Sequence, residues 1–163
     1  MEQNQDLLSL IEDDREKFYR VAFAYVKNRE DALDILHNAI VKALQGYHLL
    51  RKKEVLRTWF YRILINESIT LCRRRKRTVS FDQLTEGELP AQREPERAHY
   101  IDLYAEIDRL PPKLKTILIL RYFEDMKIRT IAEIMAMKQS TVKSRLYRAL
   151  NLLRIRLEDV EHD

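Results

Sequence analysis

The scarcity of glycine and proline constrains this chain more than any other feature: 2 Gly and 4 Pro in 163 residues leave almost nothing for hairpins, tight β-turns or phosphate-cradling loops. The fold class that remains is all-α, and a Gly-rich nucleotide site is excluded on the same ground. With 45% hydrophobic and 34% charged residues, the chain has enough apolar surface to fold and enough charge to stay solvated. Its length suits two small helical domains rather than a large enzyme with inserted lids.

Cys72 is the single cysteine, so no internal disulfide can form, and no Cys/His group has the spacing of a zinc site. No metal and no cofactor is expected. There is no apolar run of about 18 residues, and the polar start Met1-Glu-Gln-Asn-Gln-Asp6 lacks the basic and apolar parts of a signal peptide. The expected compartment is the cytoplasm.

Charge divides the chain into three parts. Residues 1–78 carry 16 basic and 11 acidic side chains, residues 79–100 carry 2 and 5, and residues 101–163 carry 12 and 10. Two basic ends therefore flank an acidic middle. Within the ends the cations are concentrated further, as the run Arg73-Arg74-Arg75-Lys76-Arg77 and as six cations without a carboxylate between Lys138 and Arg156. Such blocks suit a phosphate backbone, although each cation alone is equally well explained as part of a solvated helix face. The middle segment contains Gly87, Pro90 and Pro95 and has no sustained apolar period, so it reads as a flexible linker. Extended, it would reach on the order of 75 Å, enough to span two turns of duplex at roughly 34 Å each.

In the N-terminal domain, Phe18, Val21, Ala22, Tyr25 and Val26 form one helical stripe, and Ala32, Leu36, Ala39, Ile40 and Ala43 form a second. The far side of the second helix carries Asp34, His37, Asn38 and Val41, where an apolar residue among polar ones suggests a covered surface. A loop is expected from Gly46 to Val55, then a long helix from about Leu56 to Arg77. Leu56, Phe60, Ile63, Leu64 and Leu71 would be its buried stripe. Trp59, Tyr61, Ile65 and Ile69 place more bulk on its other sides than one buried face requires. Trp59 and Tyr61 are either core or platforms on which bases stack beside a cationic run.

In the C-terminal domain, Asp108-Arg-Leu-Pro-Pro-Lys113 starts a helix in the preferred manner, and Leu114 to Tyr122 is apolar enough to be mostly buried. Helices are then expected over Ile128 to Met135 and Ser140 to Leu157, separated by Ala136-Met-Lys-Gln139, which is the layout of a helix-turn-helix. Ala132 would permit a close crossing, with Ile131, Met135 and Val142 as the apolar wedge and Ser140 or Gln139 as the cap. Val142, Leu146, Ala149, Leu150, Leu153 and Leu157 would form the core stripe of the second helix. Its opposite face shows Thr141, Ser144, Arg148 and Asn151, flanked by Ser140, Lys143 and Tyr147. Short polar groups with an Arg on the N-terminal half of a helix suit the major groove; an ordinary corner between two helices has the same outline.

Taken together, Phe18-Tyr-Arg-Val-Ala-Phe-Ala-Tyr-Val26, Arg29-Glu-Asp-Ala-Leu-Asp34, Arg57-Thr-Trp-Phe-Tyr-Arg-Ile-Leu-Ile-Asn66, Leu110-Pro-Pro-Lys113 and Thr141-Val-Lys-Ser-Arg-Leu-Tyr-Arg148 closely resemble the extracytoplasmic-function (ECF) sigma factors of the sigma-70 family. Within that family the chain looks most like envelope-stress members of Gram-positive bacteria. The resemblance covers nearly the whole chain. It implies a sigma-2 domain at residues 1–78, an acidic linker at 79–100 and a sigma-4 domain at 101–163.

The resemblance also implies roles. Asp34, His37, Asn38 and Val41 match the surface that binds the β′ clamp helices of core RNA polymerase, and the β flap is a further expected contact. Trp59, Arg62 and Asn66, with Arg73 and Arg74, match the part that melts and holds the −10 element. Ser140, Lys143, Ser144, Tyr147 and Arg148 become candidates for base edges of the −35 element, and Lys138, Thr141 and Arg145 for its phosphates. An anti-sigma factor, membrane-anchored in the implied arrangement, would hold the protein at the inner face of the membrane. Neither a catalytic group nor a small-molecule substrate is expected. The family usually has Gly where this chain has Ala136; a left-handed Ala costs roughly 1 kcal/mol or more, so an adjusted turn is expected there.

Two other readings make different demands. A free-standing helix-turn-helix repressor would need a dimer helix with heptads, which is missing. A small helical hydrolase would need a nucleophile, a base and an orienting group, which four scattered His and one Cys do not supply.

Overall fold

A computed structural model describes the backbone of residues 4–82 and 98–161 and the side chains of residues 4–75 and 103–155. Every regular element of the described backbone is helical, and the elements form two units.

The first unit consists of α1 (Gln5–Val26), α2 (Arg29–Gly46) and α3 (Leu56–Asp82). The α1 helix starts well ahead of the expected stripe because Leu7 and Ile11, one turn apart, are buried. It bends at Asp14, whose backbone is non-helical (φ −111°, ψ 15°) and whose buried carboxylate pairs with Arg57 at 2.9 Å. Lys27 closes α1 in the left-handed region (φ 57°). Asn28 then caps α2, its Oδ1 accepting from the Asp31 N–H at 2.9 Å while its Nδ2 donates to the Asp31 carboxylate at 2.5 Å. Phe18 lies at the centre of this unit, 4.5 Å from the Phe60 ring centroid and 5.0 Å from that of Tyr61. Ala32, Ala39 and Ala43 are fully buried, and their small size brings α2 close to its neighbours.

The expected loop from Gly46 to Val55 contains two single 3-10 turns, Tyr47–Leu49 and Lys53–Val55. Tyr47 is buried there. The Trp59 indole packs against the end of α2, where a Cβ on Gly46 would lie 3.4 Å from its Cζ2, in close contact. On α3, Leu56, Phe60 and Leu64 are buried as the stripe requires, whereas Ile63 and Leu71 are only half-buried. Tyr61 and Ile65 are buried instead, and Tyr61 also lines a cleft against the second unit. The surplus of bulky groups on α3 thus has a cause in tertiary structure.

The second unit consists of α4 (Ala98–Arg109), α5 (Pro112–Leu118), α6 (Ile128–Met135) and α7 (Gln139–Glu161). Pro112 opens α5 as expected, with Pro111 extended ahead of it. After α5 the chain makes a wider π turn, Ile119–Phe123, closed by the Glu124 N–H on the Ile119 carbonyl at 3.2 Å. Its extra residue per turn rotates the end of the apolar run out of the core. Residues Leu114 to Leu120 are accordingly buried, but Tyr122 is 57% exposed, which corrects the expectation for that position.

The helix-turn-helix has the expected outline. Ile131, Ala132, Val142, Leu146, Ala149 and Leu153 are buried, while Met135 and Leu150 are half-buried. Leu157 lies outside the described side chains. Ala136 is left-handed (φ 53°, ψ 49°), with its N–H on the Ala132 and Glu133 carbonyls. The expected cap is corrected: Gln139 and Ser140 both lie inside α7, and the Ser140 carbonyl accepts from the Ser144 hydroxyl at 3.0 Å.

The ends of the expected linker are helical, because α3 continues to Asp82 rather than stopping near Arg77 and α4 begins at Ala98. Residues 83–97 of that linker lie outside the described residues. The two units touch along a seam formed by α1 against the π turn and by α3 against α6.

Candidate nucleic-acid and polymerase interfaces

Three surfaces collect the residues singled out from the sequence. The first is the N-terminal half of α7. Lys138, Ser140, Lys143, Ser144 and Arg148 are exposed, Tyr147 is 72% exposed, and Thr141 and Arg145 are half-buried. Among the described residues, no carboxylate pairs with Lys138, Lys143 or Arg148. Arg145 leans back over the turn, its guanidinium 3.4 Å from Met137 Sδ. The face is therefore polar, cationic and uncovered, held rigidly by a buried apolar stripe on the other side of the same helix.

The second surface runs along α3. Trp59, Arg62, Asn66 and Arg73 recur at helical spacing within an arc of about 60°, and Arg74 stands just beyond it. Trp59 is half-buried, tilted 50° against Tyr47 with ring centroids 6.5 Å apart. Asn66 and Arg73 are exposed. Arg62 is engaged: its Nε donates to the Ile134 carbonyl at 2.9 Å and a terminal nitrogen donates to the Glu133 carbonyl at 2.5 Å, both on α6. Arg75 is engaged too, paired with Asp31.

The third surface is the outer face of α2, where Asp34, His37, Asn38 and Val41 are all exposed. Sequence reasoning missed two members of this face. Leu33 and Leu44 are 36% and 38% exposed, beside Val41 at 38%, so three aliphatic groups surround His37. The signal was legible as apolar residues lying off the Ala32, Leu36, Ala39, Ala43 stripe.

Sequence reasoning also missed the polar groups of the seam. Lys115 and Thr116 interrupt the apolar run of α5 and are nevertheless buried. Thr116 meets the Tyr25 hydroxyl; Lys115 pairs with Asp108 at 2.9 Å and lies over the Tyr25 ring, 5.2 Å from its centroid. Burial and, less strongly, the Glu124 and Asp14 carboxylates push the Tyr61 phenol up to about 12. Burial pushes the Tyr25 phenol up as well. Beside the seam, Tyr19, Phe23, Ala24, Lys27, Tyr104 and Phe123 line an open cleft of about 690 Å³. Among the described residues no His/Cys/Asp/Glu group could hold a metal ion, and no helix is long and apolar enough to cross a membrane.

A compact helical unit with an exposed face on α2, joined to a helix-turn-helix with an uncovered cationic reading face, is the architecture of a transcription initiation factor. Residues 10–78 match the family model for sigma-70 region 2, and residues 100–153 match that for sigma-70 region 4. The RNA polymerase sigma factor SigV of Bacillus subtilis is 45% identical over 153 residues, covering 93% of this chain and 90% of that one. The ECF RNA polymerase sigma factor SigW of the same organism is 26% identical over 160 residues, covering 90% and 86%. Two solved structures share the fold at a TM-score of 0.69. One is the sigma factor RpoE in complex with the anti-sigma factor NepR from Bartonella quintana, at 21% identity over 94% of this chain and 98% of that one. The other is CnrH in complex with the cytosolic domain of CnrY, at 16% identity over 93% and 86%. The chain belongs to the ECF sigma factors of the sigma-70 family, proteins that bind RNA polymerase and direct promoter-specific initiation.

Proposed function

We propose that the chain divides promoter recognition among the three surfaces, with domain limits near 1–78, 79–100 and 101–163. The α7 helix enters the major groove of the −35 duplex. Ser140, Lys143, Ser144, Tyr147 and Arg148 face base edges, where the Arg fork suits guanine, and Lys138, Thr141 and Arg145 neutralise or hydrogen-bond phosphates. The α3 stripe receives the melted −10 strand: Trp59 and Asn66 meet unstacked bases, while Arg62, Arg73 and Arg74 follow the backbone. The outer face of α2, with Asp34, His37, Asn38 and Val41 joined by Leu33 and Leu44, binds the β′ clamp helices, and the C-terminal domain reaches the β flap. The chain acts by binding rather than by catalysis.

The observation that carries this reading is the uncovered, cationic N-terminal half of α7 on a rigid helix-turn-helix. By kinship with the two solved assemblies, we also infer a protein inhibitor, a membrane-anchored anti-sigma factor that holds the chain at the inner face of the membrane until a signal releases it. Run-off transcription from a genomic library with core polymerase tests the promoter reading. Discrete starts sharing two spaced sequence elements, seen only when both proteins are present, are expected. The absence of initiation from every template refutes it.

A further inference from the structure

We propose that the aromatic cleft beside the seam binds a single-chain anionic amphiphile of the fatty-acid class as a soluble ligand. The site is independent of the promoter reading, since none of its residues lies on the three surfaces described above. Two aromatic pairs line it: Tyr19 and Phe23 on α1, with ring centroids 5.9 Å apart, and Tyr104 and Phe123 of the second unit, 6.2 Å apart. Phe23, Tyr104 and Phe123 are exposed, and so is Tyr122. Rings grouped in this way around a cleft of about 690 Å³ mark a place where apolar matter binds, unlike apolar residues scattered singly over a surface. Tyr104 and Phe123 also line a second hollow of about 300 Å³, together with Tyr122, Leu118, Leu150 and Leu153. Sharing these two rings, the hollows form one groove that runs from α1 to α7.

Charge lies at one end of this groove. Arg20 and Lys27 line the larger hollow, whereas no charged side chain lines the smaller one. Both cations are engaged, and both keep a donor. Lys27 spends one N–H on Asp108 at 2.6 Å and one on the Tyr104 carbonyl at 3.1 Å, which leaves the third of its ammonium donors. Arg20 meets Glu124 through Nε and one terminal nitrogen and keeps the other. A carboxylate entering there adds charge-assisted bonds without displacing an existing pair. The Lys27 ammonium lies 5.0 Å from the Tyr104 ring centroid, so the polar head of the ligand gives way to its tail at that ring. Beyond it, a run of methylenes needs only apolar contact. An extended peptide on the same path would leave backbone N–H and C=O groups without partners. A polar head carrying one long apolar tail is therefore the chemistry that the groove complements.

Titration of the full chain with the fluorescent acid cis-parinarate, below its critical micelle concentration, tests this. Saturable one-to-one binding in the micromolar range is expected. Hexadecanoate should displace the probe at least about tenfold more strongly than octanoate, because the shorter tail gives up the smaller hollow. Tyr122→Glu and Phe23→Glu, both at exposed positions, should each weaken binding at least about tenfold while far-UV circular dichroism stays that of the parent. Hexadecanoate should also bind more tightly than its methyl ester, and Lys27→Gln should erase that preference, a ratio that a merely structural loss would not move. The absence of saturable binding overturns the proposal, as does binding that both glutamate variants leave intact. One acid bound per two chains overturns it by making the groove an interface between copies. Attachment to phosphatidylglycerol vesicles without binding of the free acid overturns it by making the patch a membrane contact. A groove that takes no acid but is protected from hydrogen exchange by core polymerase belongs to a protein partner, and overturns it likewise.

Discussion

The Tyr25 hydroxyl donates its proton to the Thr116 hydroxyl across the seam, and the direction is fixed because the Thr116 proton is already committed to the Pro112 carbonyl at 2.8 Å. Both side chains are buried. Tyr25→Phe removes a donor and leaves Thr116 with its remaining partner, costing about 0.5–1.5 kcal/mol of closure. Thr116→Val strands a buried donor and costs about 1–3 kcal/mol. Inter-unit distance measurements should therefore find Thr116→Val more open than Tyr25→Phe. The reverse order would show that the proton points the other way.

The raised phenols make stability depend on alkaline pH. In the folded chain Tyr61 titrates at about 12 rather than at its ordinary 10, and burial moves Tyr25 in the same direction. Below pH 10 both states hold these protons and the contribution is complete. As pH climbs from 10 toward 12 the unfolded chain binds fewer protons than the folded one, so stability falls. Urea midpoints for wild type should drop across this window, and Tyr61→Phe should reduce the drop. An identical pH profile in the variant would contradict the assignment.

Much of the fold could be read from the residues, because amphipathic period and helix punctuation are local signals. The limits of α6 and the start of α5 follow from the Ile128 to Met135 stripe, Ala136 and the Pro111-Pro112 pair. Three features depended on neighbours that a single period cannot encode. Tyr61 and Ile65 are buried beyond the stripe of α3, with Tyr61 also bordering the second unit. Tyr122 turns outward because of a π turn. Lys115 and Thr116 look like interruptions of a core helix until Tyr25 and Asp108 are placed beside them. The candidate site divides the same way: the face of α7 was legible as polar residues opposite a core stripe, whereas the engagement of Arg62 by α6 joins residues 72 positions apart.

Arg148 and Lys138 should separate base reading from phosphate neutralisation. Arg148→Ala in the assembled polymerase is expected to cost about 1–3 kcal/mol and to relax preference at one −35 position. Lys138→Ala should weaken all duplexes alike and reduce the salt dependence of binding by about one phosphate contact. Promoter-library selection combined with salt titration measures both effects. Uniform weakening by Arg148→Ala would assign that side chain to the backbone, and a position-specific loss in Lys143→Ala would confirm that Lys143 faces the bases.

The aliphatic trio on α2 offers a test of polymerase binding that spares the fold. Leu33, Val41 and Leu44 protrude from a helix whose opposite side is buried, so Val41→Glu should change thermal stability by no more than about 0.5 kcal/mol. On a partner surface the same substitution buries an unpaired carboxylate and should lower affinity for core polymerase at least about tenfold, a loss of roughly 1.4 kcal/mol or more. Co-elution with core polymerase measures the loss. Full retention of binding would move the interface elsewhere.

Ala136 holds a backbone conformation that an L side chain disfavours (φ 53°, ψ 49°) in the turn between α6 and α7. Its Cβ crowds the adjacent carbonyl there, a cost of about 1–2 kcal/mol that glycine avoids. Glycine also gains freedom in the unfolded chain, which returns part of that advantage. Ala136→Gly should consequently stabilise the C-terminal unit by a net amount of about 0.5–1 kcal/mol, raising its thermal midpoint by a few degrees. Ala136→Val, with a branched Cβ in the same region, should destabilise it by more than glycine gains. A glycine variant that melts below wild type would mean that the turn relaxes out of the left-handed region in solution, and the angle between α6 and α7 would change with it.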